Sequence, residues 1–218
     1  MKHVAFTAFL AILGGGALAQ TAAGNFTLNG YLGVTIQDTD NQASKGNGTS
    51  LVFAPSAGYF LKDRLEVGIG THLEYAKNKS VSEDGTDVTK NVTTGISSYI
   101  KRYIPITGKL HFTASGNVGI YWSRNKMMYA PATSFQENYR TIGYRIVAIP
   151  GLTYFVTEKV GFSLSVGAIE LERRKTTYES TRAPSTATNT ATNFNATISP
   201  ANGAVGMHYY FGCKAEKP

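Results

Sequence analysis

Cysteine and tryptophan are almost missing from this sequence, which has one residue of each among 218. A single cysteine, Cys213, excludes an intrachain disulfide. Charged side chains make up only 16% of the chain, and the net charge of +7 is spread along it rather than concentrated in one basic segment. Nucleic acid is therefore not an expected partner.

Long apolar runs are also missing after residue 20, and no stretch approaches the roughly 18 apolar residues of a transmembrane helix. The run from Val4 to Leu13 is shorter, follows a basic start and precedes the small residues Ala17-Leu18-Ala19. This order predicts a signal peptide over residues 1–19 and export of the mature chain. An N-terminal anchor helix is the alternative, and the glycines at 14–16 argue against it.

A repeated motif organises the rest of the chain. A strand ends in tyrosine, a polar turn of three or four residues follows, and the chain restarts on an aliphatic residue, at 59–65, 103–110 and 154–160. Tyr209-Tyr210-Phe211 repeats the aromatic residues without the turn. Long polar links are predicted between the copies, at 38–49, 76–92, 124–140 and 170–193, and the run at 183–193 is expected to be mobile. Short turns alternating with long loops are typical of an outer-membrane β-barrel.

Side chains of opposite character alternate along each predicted strand. After residue 64, for example, Leu65, Val67 and Ile69 alternate with Glu66 and Gly68. Eight such segments, each of about nine to thirteen residues, are long enough to cross a bilayer when tilted. We therefore predict an all-β chain that folds as an eight-stranded antiparallel up-and-down transmembrane β-barrel over residues 20–211, with a short C-terminal tail at 212–218.

Alternation alone does not say which face meets lipid, since a soluble lipocalin-like barrel with an apolar lumen would show the same pattern. The polar face consists of Gly, Ser, Thr and Asn, which fit a narrow lumen, whereas a solvated exterior would carry more Lys and Glu. The apolar face ends in aromatic residues that we predict to form two interfacial girdles: Tyr75, Trp122 and Tyr144 toward the long loops, and Tyr59, Tyr154 and Tyr209 toward the short turns.

The fourth predicted strand is ambiguous because it contains both Lys101 and Arg102. We predict that Tyr99 and Lys101 point inward and that Arg102 reaches the membrane edge. The isoleucines of this strand, at 96, 100 and 104, then point outward.

Three segments, at 55–65, 98–106 and 209–211, resemble the small outer-membrane β-barrel proteins of Gram-negative bacteria, the porin-like or opacity-like family. The resemblance covers essentially the whole mature chain. It implies an integral outer-membrane protein, surrounded by outer-membrane lipid and lipopolysaccharide. It also implies insertion by the barrel-assembly machinery, which reads a C-terminal aromatic residue, here Phe211. Residues 212–218 follow that residue, unlike in families that end on the aromatic.

Eight strands leave a lumen just wide enough for side chains, so we predict a structural or surface-interaction protein that displays four long loops to an extracellular partner. The inward charges Glu66, Glu74, Lys101 and Arg145 are expected to neutralise one another approximately, and Glu66 and Lys101 lie where they could pair directly. A small-solute channel is the first alternative.

A lipid-modifying outer-membrane enzyme is the second alternative. His72, His111 and His208 all fall on the predicted lumen face, where a histidine could act as a base. They lie at different heights, and none has a serine two positions on that would share its face, so no catalytic site is predicted. No metal-ligand spacing occurs in the sequence, and no cofactor is predicted.

Overall fold

The computed structural model of the chain describes residues 20–41, 44–82, 85–128, 135–179, 186–198 and 205–212. The predicted signal peptide and Cys213 lie outside these residues. The described part is all β, with ten strands: β1 Phe26–Asn41, β2 Ser44–Lys62, β3 Leu65–Ser82, β4 Gly85–Pro105, β5 Leu110–Met128, β6 Gln136–Phe155, β7 Val160–Ser165, β8 Gly167–Glu179, β9 Thr186–Ile198 and β10 Val205–Phe211. Within these ranges there is no helix of the length and apolarity needed to cross a membrane.

The strands close into a ring. Strands β1 to β6 pair in chain order, β6 pairs with both β7 and β8, and β8 pairs with β9. Strand β10 pairs with β7 on one side and with β1 on the other. Because β7 and β8 are two parts of one barrel strand, and β9 and β10 are two parts of the last, the chain is an eight-stranded antiparallel up-and-down barrel, as predicted.

The interruption between β7 and β8 has a local cause. The backbone N–H of Val166 donates to the carbonyl of Pro150 on β6 at 3.2 Å. Pro150 has no N–H with which to continue the ladder. Gly167, with φ of 145°, then takes a backbone conformation that other residues rarely adopt.

The strands are longer at their loop ends than predicted. Strand β3 continues to Ser82, β4 begins at Gly85, and β9 begins at Thr186. Most of each predicted long loop is therefore strand, and the run at 183–193, predicted as part of a loop, is strand from residue 186 onward. The alternating charges at 170–175, in contrast, extend the seventh barrel strand as β8.

Large apolar side chains cover the outside of the barrel wall. On β1, Leu32, Val34 and Ile36 are 66%, 62% and 72% exposed, whereas inward-facing Thr27 and Asn29 are buried. A continuous exposed apolar surface of this kind suits hydrocarbon and not water. The lipocalin-like alternative, which places the apolar face inside, is excluded.

The fourth barrel strand has the orientation that we predicted. Ile96, Ile100 and Ile104 are exposed on the outer wall, while Tyr99 bonds with inward side chains. Arg102 points outward near the short turns, where its Nη1 donates to the backbone carbonyl of Asp63 at 3.3 Å.

Candidate functional site

Four aromatic side chains fill the lumen near the short turns. Phe60, Tyr103, Phe155 and Tyr210 are each no more than 1% exposed. They come from β2, β4, β6 and β10 and meet across the barrel axis, with ring centroids 5.5 Å apart for Phe60 and Tyr103 and 5.2 Å apart for Phe155 and Tyr210. We call this group the aromatic layer.

His111 extends the aromatic layer. Its ring packs edge-on against Phe155, with centroids 5.0 Å apart, and it is fully buried. Neither ring nitrogen has a hydrogen-bond partner among the described protein groups. The side chain therefore packs here as part of the aromatic layer.

The segment from Gln20 to Asn25 crosses the short-turn end of the barrel. The Arg64 N–H donates to the carbonyl of Thr21 at 2.7 Å, and Gln20 Nε2 donates to the carbonyl of Thr157 at 3.4 Å. One segment thus links the turn after β2 to the turn after β6. Gln20 and Thr21 are at most 2% exposed, so this segment is packed against the short-turn end of the barrel.

Glu66 is the centre of a hydrogen-bond network in the lumen. Thr27, Asn29 and Tyr99 donate to its Oε1 at 2.6, 3.1 and 2.5 Å. Tyr103, from the aromatic layer, donates to Oε2 at 2.6 Å. A buried carboxylate is tolerated only when it is compensated, and four donors provide much of that compensation.

Lys101 supplies the opposing charge. It lies directly opposite Glu66 in the pairing of β3 with β4, as predicted, but the two charged groups do not come within ion-pair distance of each other. Its ammonium group lies over the rings of Tyr99 and Tyr103, 5.5 and 5.8 Å from their centroids. The same two tyrosines thus contact the anion through their hydroxyls and the cation through their rings.

Asn29 also connects Glu66 to a histidine and a serine. Because the Asn29 amide nitrogen donates to Glu66 and Tyr99, its oxygen faces His208 Nδ1 at 2.5 Å and must accept. His208 therefore carries its proton on Nδ1, and Nε2 accepts from Ser163 Oγ at 2.6 Å. The serine lies on a neighbouring strand, which is why a search for serines near histidine in sequence missed it.

The Ser163, His208 and Asn29 chain has the order of a nucleophile, a base and an orienting group. Two features argue against catalysis. His208 is 4% exposed, next to the aromatic layer. The backbone of β7 around Ser163 is paired with β6 and β10, so its N–H groups serve the ladder and not an oxyanion hole.

A polar cavity of about 470 Å³ lies on the loop side of this network and extends to Tyr178 and Asn189. Glu74 and Arg145 line it together with His72, whose Nε2 is 3.5 Å from Glu74 Oε2. We call this cavity the vestibule. The four predicted lumen charges therefore occupy two levels, with Glu66 and Lys101 below and Glu74 and Arg145 above, rather than one cluster.

Sequence reasoning missed a second charged group in the vestibule. Tyr121 donates to Glu172 Oε1 at 2.5 Å, and Arg174 Nη1 is 3.6 Å from Glu172 Oε2. Both charged residues fall in the stretch that we predicted as a loop. The alternating charges at 170–175 had suggested that the seventh strand could continue there, and assigning every second residue of it to the lumen would have found both.

The predicted girdle residues lie on the outer wall. Tyr75, Trp122 and Tyr144 toward the long loops, and Tyr59 and Tyr209 toward the short turns, are exposed, while Tyr154 is half-buried. Phe211 points outward at the end of β10, paired with Phe26 of β1. In the described ranges, no group of three or more His, Cys, Asp or Glu side chains is placed to hold a metal ion.

Comparisons with known proteins address the fold. No protein-family model matches the chain, and no curated protein matches it. Among solved structures it is similar to the outer membrane protein OprG from Pseudomonas aeruginosa, with a TM-score of 0.51 and 11% identity over 89% of this chain and 99% of that chain. A weaker likeness is to Neisserial surface protein A, with a TM-score of 0.39 and 11% identity over 86% of this chain and 97% of that chain. Another is to a major outer membrane protein from Thermus thermophilus, with a TM-score of 0.38 and 10% identity over 87% of this chain and 100% of that chain. The chain thus has the fold of an outer-membrane β-barrel protein.

Proposed function

We propose that this chain is an integral outer-membrane β-barrel protein with a structural or surface-interaction role, whose lumen is closed at the short-turn half. The observation that carries the proposal is the aromatic layer under the Glu66 network. In the Glu66 network the charges and hydrogen-bond donors interact with one another. An ion that entered the lumen would have to replace these interactions and then pass the aromatic side chains.

The long-loop ends are the surface on which an extracellular partner would act. Strands β3, β4, β8 and β9 extend these ends well past the girdle, and the vestibule reaches Tyr178 of β8 and Asn189 of β9. Lipopolysaccharide and outer-membrane lipid would surround the apolar wall. The barrel-assembly machinery would read the terminal aromatic residue, Phe211.

Side-selective labelling tests the orientation. In a Cys213→Ser background, Ala187→Cys places a thiol at the loop end of β9, and Lys159→Cys places one on the short turn after β6. Both positions are exposed. A membrane-impermeant maleimide applied to intact cells should label position 187 alone, with position 159 labelled only after permeabilisation. The reverse pattern would overturn the proposed orientation.

A small-solute channel is the first competing function, favoured by the vestibule. That cavity would conduct only if it continued through the Glu66 network and the aromatic layer to the short-turn end. The buried groups of the short-turn half support a cavity that is open only toward the long loops, and not a continuous pore.

A lipid hydrolase is the second competing function, favoured by the chain of Ser163, His208 and Asn29. Incubating the folded protein with a fluorophosphonate probe and with lipid A tests it. We expect neither labelling of Ser163 nor release of fatty acid. Labelling that disappears in Ser163→Ala, together with acyl release, would establish an enzyme instead.

A further inference from the structure

A cleft on the outer surface of the barrel wall combines apolar and cationic side chains. It has a volume of about 500 Å³ and lies across β4, β5, β6 and β8. Val92, Trp122 and Ile142 give it apolar surface, and Arg124, Arg140 and Lys175 give it positive charge. We call it the basic cleft.

Strand pairing brings these cations close together. Arg124 lies directly opposite Arg140 in the pairing of β5 with β6, and Lys175 lies opposite Ile142, two residues from Arg140. Like charges directly opposite each other destabilise a pair of strands. An anion bound between them would remove that repulsion, so the arrangement favours an anionic occupant.

The carboxylate of Glu137 neutralises part of the positive charge of the basic cleft. Arg140 Nη2 donates to Glu137 Oε2 at 2.9 Å, and its Nε donates to the other carboxylate oxygen. These bonds hold the pKa of Glu137, which lies on the loop side of the girdle, below its usual range. Arg124 and Lys175, by contrast, have no carboxylate of the described chain within ion-pair distance. The positive charges of Arg124 and Lys175 are therefore not paired with a carboxylate of the described residues.

We propose that the basic cleft binds a phosphorylated glycolipid of the outer leaflet, with phosphate against Arg124 and Lys175 and an acyl chain against Trp122 and Ile142. The inference rests on the proposed function, since it needs the long-loop end to face outward. Guanidinium groups bind phosphate in a bidentate manner, and an acyl chain matches the apolar side of the cleft. Free phosphate would use only the cations, and an uncharged lipid only the apolar surface.

Native mass spectrometry of the folded protein in detergent tests the site, with diphosphorylated lipid A and its dephosphorylated form as probes. The test variant is Arg124→Gln with Lys175→Gln, which leaves the Arg140 and Glu137 pair in place. The control is Lys62→Gln with Lys159→Gln, which removes the same charge from exposed positions near the short turns. Heat-modifiable electrophoretic mobility in vesicles shows that each variant folds.

We expect the wild type and the control to retain diphosphorylated lipid A and the test variant to bind it about tenfold more weakly or worse, because two charge-assisted contacts are lost. Dephosphorylated lipid A should bind weakly to all three. Equal binding by test variant and control, or no preference for the phosphorylated form, would overturn the inference. Such a result contradicts only the lipid site when labelling in cells shows the expected orientation and the wild type folds in vesicles. A reversed labelling pattern, or a wild type that does not fold in vesicles, contradicts the proposed function itself.

Discussion

Replacing Glu66 with leucine should disturb the barrel more than any other single charge removal in the lumen. The change removes the acceptor of four hydrogen bonds and leaves Lys101 without its opposing charge. A hydrogen bond to a charged group contributes about 1.5–3 kcal/mol, so four set an upper bound of about 6–12 kcal/mol. The actual change is smaller, because the energies of hydrogen bonds that share one acceptor group are not additive. The Tyr103 hydroxyl also has Tyr210 Oη at 3.5 Å as a second partner. We therefore expect the free energy of unfolding to fall by about 3–5 kcal/mol, the range found when a charge in the protein interior loses its compensation.

Urea unfolding of the protein in lipid vesicles measures this change. Trp122, the only tryptophan, reports through its fluorescence from the lipid-facing wall, and electrophoretic mobility without boiling reports the folded fraction. Glu74→Leu is the matched control, because Glu74 lies in the open vestibule and should cost less than about 1 kcal/mol. If Glu66→Leu proved as stable as the wild type, or no less stable than Glu74→Leu, the network would not hold the lumen together as described.

Three further predictions use the same unfolding assay. Gly58→Ala should lower the free energy of unfolding by about 1–3 kcal/mol, since a Cβ there would lie 2.5 Å from Tyr99 Oη. The control Gly30→Ala, whose Cβ meets nothing within 4 Å, should leave it nearly unchanged. Equal effects of the two changes would contradict tight packing around Glu66. His111→Phe should leave the free energy of unfolding unchanged or raise it by at most about 1–3 kcal/mol, because it removes two buried nitrogens without partners. A clear decrease in the free energy of unfolding would mean that the imidazole makes an essential polar contact. Ile96→Arg should cost about 2–4 kcal/mol if the site is near the bilayer midplane, and more than Ile96→Ala; a harmless arginine would mean that this face does not meet lipid.

The course of the strands through the membrane could be predicted because hydrocarbon and lumen impose opposite characters on alternate residues. Ile96 and Tyr99 on β4 illustrate this, since their side chains face lipid and lumen. Above the membrane both faces of a strand are wet, and the alternation disappears. The stretches at 76–82, 85–92 and 186–193 were therefore read as loops, although all three are strand.

The aromatic layer was only partly accessible to sequence reasoning. Adjacent strand residues face opposite sides, so an outward Tyr59 or Tyr209 requires an inward Phe60 or Tyr210. That signal was present in the paired aromatics of the repeated motif. The Glu66 network and the contact of Ser163 with His208 were not accessible, because they join residues 33 to 45 positions apart whose meeting depends on the register of paired strands and on how their side chains meet in the lumen.

The central claim is that the lumen is closed at its short-turn half, and planar-bilayer conductance of the folded protein tests it most directly. The wild type should insert without stable conductance steps. Long-lived wild-type steps that grow in proportion to salt concentration would contradict the account and establish a channel.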